Sequence, residues 1–211
     1  MITVASSTGE MKEVVLPDGT KIWLGANSTL KYDERFGDKN REVIFNGEAM
    51  FDVVKDEKLS FVVNLENASI QVHGTRFLVT GYSERSKSEI VLLEGKVKYQ
   101  QNDQTVFMSP GERLTGDRLT GEIIREQIDT AHYQDWDEGK VYLDNRELSD
   151  LIFMLEKWYG VKFVFSNDNL KSYKFTGFIN KEKPLDYVLK IITLTNKVKF
   201  KKEGEKIMIT D

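Results

Sequence analysis

The sequence contains no cysteine, and it has only two histidines and three prolines among its 211 residues. Without cysteine, the chain can form neither a disulfide scaffold nor a thiolate metal site. The histidines, His73 and His132, fall in different predicted domains, whereas a zinc site needs three or four converging ligands. We therefore predict that the chain holds no metal and no cofactor, and that His73 is either a partly buried, hydrogen-bonded histidine or an exposed strand residue.

Long apolar runs and nucleotide-binding motifs are also missing. No segment approaches the roughly 20 apolar residues of a membrane span, and Met1–Ala5 lacks the basic start and apolar stretch of a signal peptide. No glycine-rich loop opens a helix, so no phosphate-binding loop is predicted. The formal net charge of −4 gives no reason to expect nucleic-acid binding.

From Met11 to about Ile124 the sequence consists of short segments that are rich in Val, Ile and Phe and bounded by turn-forming residues. The turn Pro17-Asp18-Gly19 sets the pattern. Pro17 fixes φ, Asp18 can bond its own backbone, and Gly19 accepts a positive φ. Turns recur about every ten residues, which favours a β-sandwich, a barrel or a stacked-hairpin solenoid.

Residues 139–211 switch to a pattern of mixed helices and strands. Apolar residues recur at helical spacing from Glu147 to Tyr159, and Gly160 follows as a helix-ending residue. Pro184 begins a second stripe of this kind. The predicted order is β-α-β, then β-α-β-β, with strands at Val141–Leu143, Val161–Phe165, Tyr173–Phe178, Val198–Lys201 and Lys206–Thr210.

A polar stretch over Glu122–Trp136 separates the two patterns and predicts a connector, with a short helix near Ala131–Trp136. The predicted domains are therefore an all-β domain over residues 1–130, a connector over 131–139 and a small α+β domain over 140–211. The last two strands are expected to close the chain as a hairpin.

Acidic pairs are the strongest hint of catalysis in the sequence; they occur at Asp33-Glu34, Asp56-Glu57 and Asp137-Glu138. Glycoside hydrolysis needs two carboxyl groups that face each other across a cleft, roughly 5–10 Å apart. Sequence neighbours on a strand point to opposite faces. We interpret the pairs as solvated turns and predict that the protein is not an enzyme.

Two alternative functions remain open at this point. A carboxylate-dependent glycoside hydrolase requires a cleft that brings two carboxylates together. A carbohydrate-binding module requires a tryptophan on an exposed flat face. We interpret Trp23, Trp136 and Trp158 as packing residues, with Trp136 at the junction between the domains, although Trp158 and Tyr159 end a helix and could anchor a partner.

Several segments, in fixed order, resemble the extracytoplasmic domain of FecR-like anti-sigma regulators. They read LPDGTKIWLGANSTLKY, REVIFNGEAMFDV, VHGTRFLV, LLEGKVK and SPGERL, and they lie between Val14 and Leu114. The resemblance implies a mainly β fold, with an elongated all-β FecR-type domain before the small α+β domain. The positions that carry its structural motifs are Asp18, Gly19, Trp23, Gly47, Glu48, Phe51, Gly74, Thr75, Phe77, Gly95, Gly111, Trp136 and Gly139.

The C-terminal segments LSDLIFMLEKWYGVKFVF and FTGFINKEKPLDYVL resemble the short N-terminal domain of secretins and TonB-dependent receptors, a copy of which closes many FecR-like regulators. These resemblances imply the periplasmic region of a single-pass inner-membrane protein. A cytoplasmic sigma-binding segment and a membrane helix would precede the chain. The implied partners are the N-terminal signalling domain of an outer-membrane TonB-dependent transporter and an extracytoplasmic-function sigma factor.

A small mixed domain can bind such a partner by pairing an exposed strand edge with an incoming strand. We expect this edge at Tyr173–Phe178 or at the terminal strand Lys206–Thr210. The residues predicted to contact the partner are Trp158, Tyr159, Tyr173, Phe175, Phe178, Ile207 and Ile209.

Overall fold

The computed structural model describes residues 1–195 and 198–211. The chain divides into two compact units, Met1–Ala131 and His132–Asp211. Strands account for most of the regular structure, and both described α-helices lie in the second unit. The fold is therefore mainly β, with an all-β unit followed by an α+β unit, as predicted.

All residues of the first unit are described, and thirteen strands form one hydrogen-bonded sheet in it. The strands are Ile2–Ala5 (β1), Lys12–Val15 (β2), Lys21–Leu24 (β3), Thr29–Tyr32 (β4), Arg41–Asp52 (β5), Phe61–Asn64 (β6), Ala68–Val72 (β7), Arg76–Gly81 (β8), Lys87–Glu94 (β9), Val97–Gln101 (β10), Gln104–Met108 (β11), Glu112–Asp117 (β12) and Ile123–Gln127 (β13).

The long strand β5 belongs to both halves of this sheet. Its first half pairs with β4 and β6, and the sheet continues through β7 and β10 to β11. Its second half pairs with β3 and β8, and the sheet continues through β9 and β12 to β13. Apolar residues from both halves form one buried cluster. The halves therefore pack face to face as a sandwich, one of the predicted arrangements.

Phe51 lies at the centre of this core. Its ring stacks on the ring of Phe77 with centroids 5.1 Å apart, and it meets Phe45 and Phe61 edge-on at 5.4 and 6.3 Å. All four side chains are buried. Aromatic contacts of this geometry stabilise a core beyond the area that they bury.

Gly47 lies where β5 passes from one half of the sheet to the other. Its φ is +135°, a conformation that favours glycine, and a Cβ at this position would overlap Ser28. The Ser28 hydroxyl accepts the Glu48 backbone N–H at 2.9 Å and donates to the Glu48 carbonyl at 3.1 Å. The Gly47-Glu48 motif thus fixes the crossing point of the two halves.

The predicted turn between β2 and β3 is confirmed, and its aspartate has a second role. The Asp18 carboxylate accepts the backbone N–H of Thr20 at 2.9 Å and a guanidinium N–H of the buried Arg41 at 3.1 Å. Arg41 also donates to the carbonyls of Val54 and Leu59, at 2.9 and 3.0 Å. One buried side chain at the start of β5 therefore ties the turn to the loop between β5 and β6.

Two further sequence motifs meet at Gly74-Thr75 and Gly95-Lys96. The Thr75 hydroxyl donates to the Lys96 carbonyl at 3.0 Å. Gly95 has a φ of +90°, and a Cβ there would lie 2.6 Å from both the Gly74 carbonyl and the Thr75 hydroxyl. The conformation of Gly95 and the crowding around it therefore both favour glycine here. Gly111 differs, because its φ of +88° requires glycine although the nearest atom would be 3.7 Å from a Cβ.

The second unit has the predicted order of elements. Its described helices and strands are Lys140–Glu147 (β14), Leu148–Tyr159 (α1), Lys162–Phe165 (β15), Lys174–Asn180 (β16), Leu185–Thr195 (α2), Lys199–Glu203 (β17) and Lys206–Thr210 (β18). Helix α1 ends at Gly160, which has a φ of +65° and donates its N–H to the Glu156 carbonyl at 3.0 Å.

The strands of the second unit form two small sheets. β14 and β16 pair antiparallel, and β18 lies between β15, which is parallel to it, and β17, which is antiparallel. The terminal hairpin of β17 and β18 is therefore confirmed. The expectation that β18 presents a free edge is wrong, because β15 pairs with its other side.

The polar stretch that was predicted to be a connector is folded. Ile123–Gln127 forms β13, which pairs with β12 in the first unit. The predicted short helix is replaced by two 3₁₀ turns, Thr130–Tyr133 and Trp136–Glu138. Trp136 is buried, and it lies within the second unit. Among the described helices, none has the length and apolar character needed to cross a membrane.

Candidate partner-binding surface

The seven side chains predicted to contact a partner separate into buried and accessible groups. Trp158, Phe175, Ile207 and Ile209 are buried, and Tyr159 is partly buried, with its hydroxyl donating to a backbone carbonyl at 2.7 Å. A contact role therefore does not fit the four buried side chains. The accessible ones are Tyr173, which is 37% exposed, and Phe178, which is 60% exposed.

Strand geometry explains this division. Phe175 and Phe178 are three residues apart on β16, so their side chains point to opposite faces, and Phe175 takes the inner one. Ile207 and Ile209 are two residues apart on the central strand β18, so both face inward. The sequence pattern identified apolar strand residues correctly but did not separate the two faces.

The tryptophans Trp136 and Trp158 enclose the ammonium group of Lys181 in the second unit. Lys181 Nζ lies 4.1 Å from the Trp158 ring centroid and 5.1 Å from the Trp136 ring centroid, and all three residues are buried. A cation over an indole face is attracted by the ring quadrupole. Both tryptophans therefore serve the interior of this unit and offer no face to a partner.

Strand β16 has one edge that no described strand covers. The Lys181 N–H donates to the Gly139 carbonyl at 3.0 Å, which fixes the hydrogen-bonding phase of β14 and β16. Because this phase alternates along an antiparallel pair, the backbone N–H and C=O groups of Phe178 and Thr176 point away from β14. We call this side of Lys174–Asn180 the β16 edge.

The other strand edges of the second unit carry features that discourage pairing. β17 has exposed lysines at Lys199, Lys201 and Lys202, β15 is only four residues long, and β14 contains an irregularity between Leu143 and Arg146. Lysines, short strands and bulges are common protections against edge-to-edge association. β16 is seven residues long, and its last six residues, FTGFIN, carry no charge.

Three aromatic rings meet on one face of the sheet formed by β14 and β16. Tyr142 and Phe178 are cross-strand neighbours with ring centroids 4.7 Å apart, and the His132 ring lies 3.8 Å from Tyr142 and 5.6 Å from Phe178. We call His132, Tyr142 and Phe178 the aromatic patch. Partly exposed aromatic residues are frequent anchors of protein interfaces.

The sequence prediction missed two members of this patch. Tyr142 could have been found, because it lies between Val141 and Leu143 on a strand and must take the opposite face from these buried neighbours. His132 has no such signal, since it lies in a polar stretch and reaches the patch through a 3₁₀ turn.

Two of the three acidic pairs contain an aspartate that acts as a turn residue. Asp56 accepts the backbone N–H groups of Leu59 and Lys58, and Asp33 accepts that of Arg35, and these bonds lower the pKa of both carboxyl groups. A glycosidase acid needs a raised pKa. Within residues 1–195 and 198–211, no three potential metal ligands come together.

Comparison with known proteins agrees with the resemblance seen in the sequence. The family model of FecR protein matches residues 2–98, and that of the FecR C-terminal region matches residues 140–209. The chain belongs to the FecR family. It is thus related to anti-sigma regulators, a regulatory class, and the C-terminal match includes Tyr142, Phe178 and the β16 edge.

Two solved structures resemble this FecR-family chain over its whole length. Both are crystal structures of a protein classed as an anti-sigma factor from Parabacteroides distasonis, at 1.65 and 2.50 Å resolution. They share 27% and 28% sequence identity with the chain, with TM-scores of 0.93 and 0.91. The matches cover 100% of this chain and 99% and 98% of the other chains. No curated protein matches the sequence.

Proposed function

We propose that this FecR-family chain is the periplasmic sensor region of a transmembrane anti-sigma regulator. It binds the N-terminal signalling domain of an outer-membrane TonB-dependent transporter and relays the loaded state of that transporter to an extracytoplasmic-function sigma factor. A membrane helix and a cytoplasmic segment outside these 211 residues would carry the signal inward. The chain acts by protein–protein contact and catalyses no reaction.

The observation that carries this proposal is the β16 edge. It combines backbone groups at Thr176 and Phe178 that no described strand pairs with, an uncharged run over residues 175–180 and an exposed aromatic side chain. An incoming strand would gain main-chain hydrogen bonds along the edge, which supply affinity. Its alternate side chains would contact Phe178, the member of the aromatic patch that lies on β16, which supplies specificity.

No observation favours the two alternative functions. A carbohydrate-binding module would need an exposed tryptophan face, but Trp136 and Trp158 are buried and Trp23 is half-buried on β3. A glycoside hydrolase would need a carboxylic acid with a raised pKa, whereas hydrogen bonds lower the pKa of Asp33 and Asp56.

Titration calorimetry with the isolated signalling domain of the transporter encoded beside this gene tests the proposal. The decisive variant is Phe178→Lys, which places a charge on the β16 edge. Its matched control is Tyr187→Lys, because Tyr187 is an aromatic residue of similar exposure (54%) that lies on helix α2 and not on β16. We expect the wild type and Tyr187→Lys to bind alike and Phe178→Lys to bind at least about tenfold more weakly.

Two results would contradict parts of this proposal. Equal affinities for Phe178→Lys and the wild type would exclude the β16 edge as the site while keeping the transporter as partner. An absence of binding by the wild type, with both proteins folded by circular dichroism, would exclude this transporter domain as the partner.

A further inference from the structure

We propose that a second copy of this chain covers the β16 edge when no other partner is bound. The two β16 strands would pair antiparallel about a two-fold axis at Gly177, which joins two two-stranded sheets into one of four strands. This inference concerns the regulation of the same edge, and it rests on the proposed function only where it describes competition with the transporter domain.

The backbone of β16 suits this arrangement. A register centred on Gly177 pairs all seven residues of Lys174–Asn180 and places Thr176 opposite Phe178 of the partner subunit. Thr176 and Phe178 are the residues whose backbone groups point to the free edge. Each such pair exchanges two hydrogen bonds, so about four backbone hydrogen bonds form around the axis. In a register shifted by one residue, Thr176 and Phe178 would lie opposite residues of the partner subunit whose backbone N–H and C=O groups already bond to β14.

The side chains of β16 also match themselves in this register. Phe175 falls opposite Ile179 of the partner subunit, and both are buried on the inner face. Thr176 and Phe178 fall opposite each other on the outer face, where both are exposed. Gly177 meets Gly177 of the partner subunit at the axis without any Cβ, which lets the two backbones approach closely there.

The charges permit the same pairing. Lys174 falls opposite the uncharged Asn180 of the partner subunit, so the two lysines lie at opposite ends of the joined strands. The Lys174 ammonium already pairs with Glu147 at 3.2 Å. No like charges therefore face each other, in contrast to a pairing of two lysine-rich β17 strands.

Self-pairing would regulate access to the edge. A transporter domain that adds its strand to β16 must displace the second copy, so dimer formation lowers the apparent affinity for the transporter by mass action. It also protects an apolar edge that would otherwise invite non-specific association.

Sedimentation equilibrium on the full 211-residue chain tests self-association, over a range of about 1 to 200 μM that spans weak association. We expect a concentration-dependent dimer for the wild type and for Tyr187→Lys, and a monomer for Phe178→Lys throughout the range. A monomeric wild type would overturn the inference. So would a Phe178→Lys variant that keeps a native circular dichroism spectrum and dimerises like the wild type.

Cysteine cross-linking tests the register without relying on that variant. The chain has no native cysteine, so Thr176→Cys and Phe178→Cys each carry one thiol. Hydrogen-bonded pairs have Cα atoms about 5.5 Å apart, within disulfide range. We expect an oxidised mixture of the two variants to form the mixed disulfide, and neither variant alone to cross-link efficiently. Equal cross-linking of each variant alone would contradict the Gly177-centred register.

The two proposals fail in different ways. A chain that stays monomeric but binds the transporter domain keeps the proposed function and removes self-pairing. A chain that dimerises through β16 but never binds that domain keeps self-pairing and removes the proposed function. If both hold, adding the transporter domain converts the dimer into a complex of one chain with one domain, and dimers that persist at saturating domain contradict competition for one edge.

Discussion

The two units of this chain differ in where their most informative residues lie: in the interior of the first unit and on the surface of the second. In the first unit, family motifs lie in the interior, where Asp18 and Arg41 join the β2–β3 turn to the β5–β6 loop and Gly95 allows two turns to touch. In the second unit, the features suited to recognition point outward, as the β16 edge and the aromatic patch. The motifs that identify the family therefore build its scaffold, and the surface for a partner lies elsewhere.

The largest effect on stability is expected from Arg41→Ala. This change leaves the Asp18 carboxylate and the Val54 and Leu59 carbonyls without their buried donor, so we expect a loss of about 3–5 kcal/mol in the free energy of unfolding. Urea unfolding followed by circular dichroism measures it. If the first unit serves as scaffold and the second unit binds the partner, the protein that remains folded binds the transporter domain with unchanged affinity. A loss below about 1 kcal/mol would show that water replaces these bonds.

A smaller loss is expected from Gly95→Ala, of about 1–3 kcal/mol, because both the positive φ and the crowding at Thr75 oppose a methyl group. Gly37→Ala is the matched control, since Gly37 has a similar φ of +97° but no atom within 4 Å of a Cβ. The difference between the two variants in thermal unfolding isolates the crowding. Equal losses would mean that the motifs at Gly74 and Gly95 do not need to touch.

Glu112→Gln should cost about 1 kcal/mol at neutral pH and should change the acid sensitivity of the first unit. Burial raises the pKa of Glu112. The hydrogen bonds from the Ser109 N–H and from Arg125 lower this pKa by more than burial raises it, so the net shift is downward. A lowered pKa contributes stability above the ordinary value near 4.3, and this contribution is lost as the pH falls through the folded pKa. Urea unfolding at pH 7 and pH 3 should therefore show a smaller pH effect in the variant; identical pH effects would contradict this role.

The smallest effect on stability is expected from Phe178→Lys, at about 0.5 kcal/mol or less, because its side chain is largely exposed. The same variant is expected to have the largest effect on binding. Thermal unfolding of the variant, measured beside its calorimetric titration, therefore sharpens the contrast between the units. A destabilisation of several kcal/mol would instead make Phe178 a structural residue.

Local features of the fold could be predicted from the sequence because their causes are local. The turn at Asp18-Gly19, helix α1 and its end at Gly160 all follow from neighbouring residues. The free strand edge could not be predicted in this way. β18 looks like a terminal edge strand, but its parallel partner β15 lies about 40 residues earlier in the chain, and alternation does not specify a strand's neighbours.

β13 was missed for a related reason. Ile123–Gln127 is an edge strand, and most of its residues are exposed, so it lacks the apolar alternation that marks half-buried strands. The β16 edge was predicted only in part. Its apolar residues were evident in the sequence, but the inward direction of the Phe175 side chain was not. The candidate site therefore depended on knowing which strands pair, which is a property of the whole unit.

The pair of indoles around Lys181 has a practical consequence for measuring all of these effects. Of the three tryptophans, Trp136 and Trp158 are buried in the second unit, and Trp23 is half-buried in the first. Intrinsic fluorescence therefore reports mainly on the α+β unit, whereas far-ultraviolet ellipticity includes the strands of both units. Recording both signals in one denaturation experiment would show whether the units melt together or in sequence, with no added label.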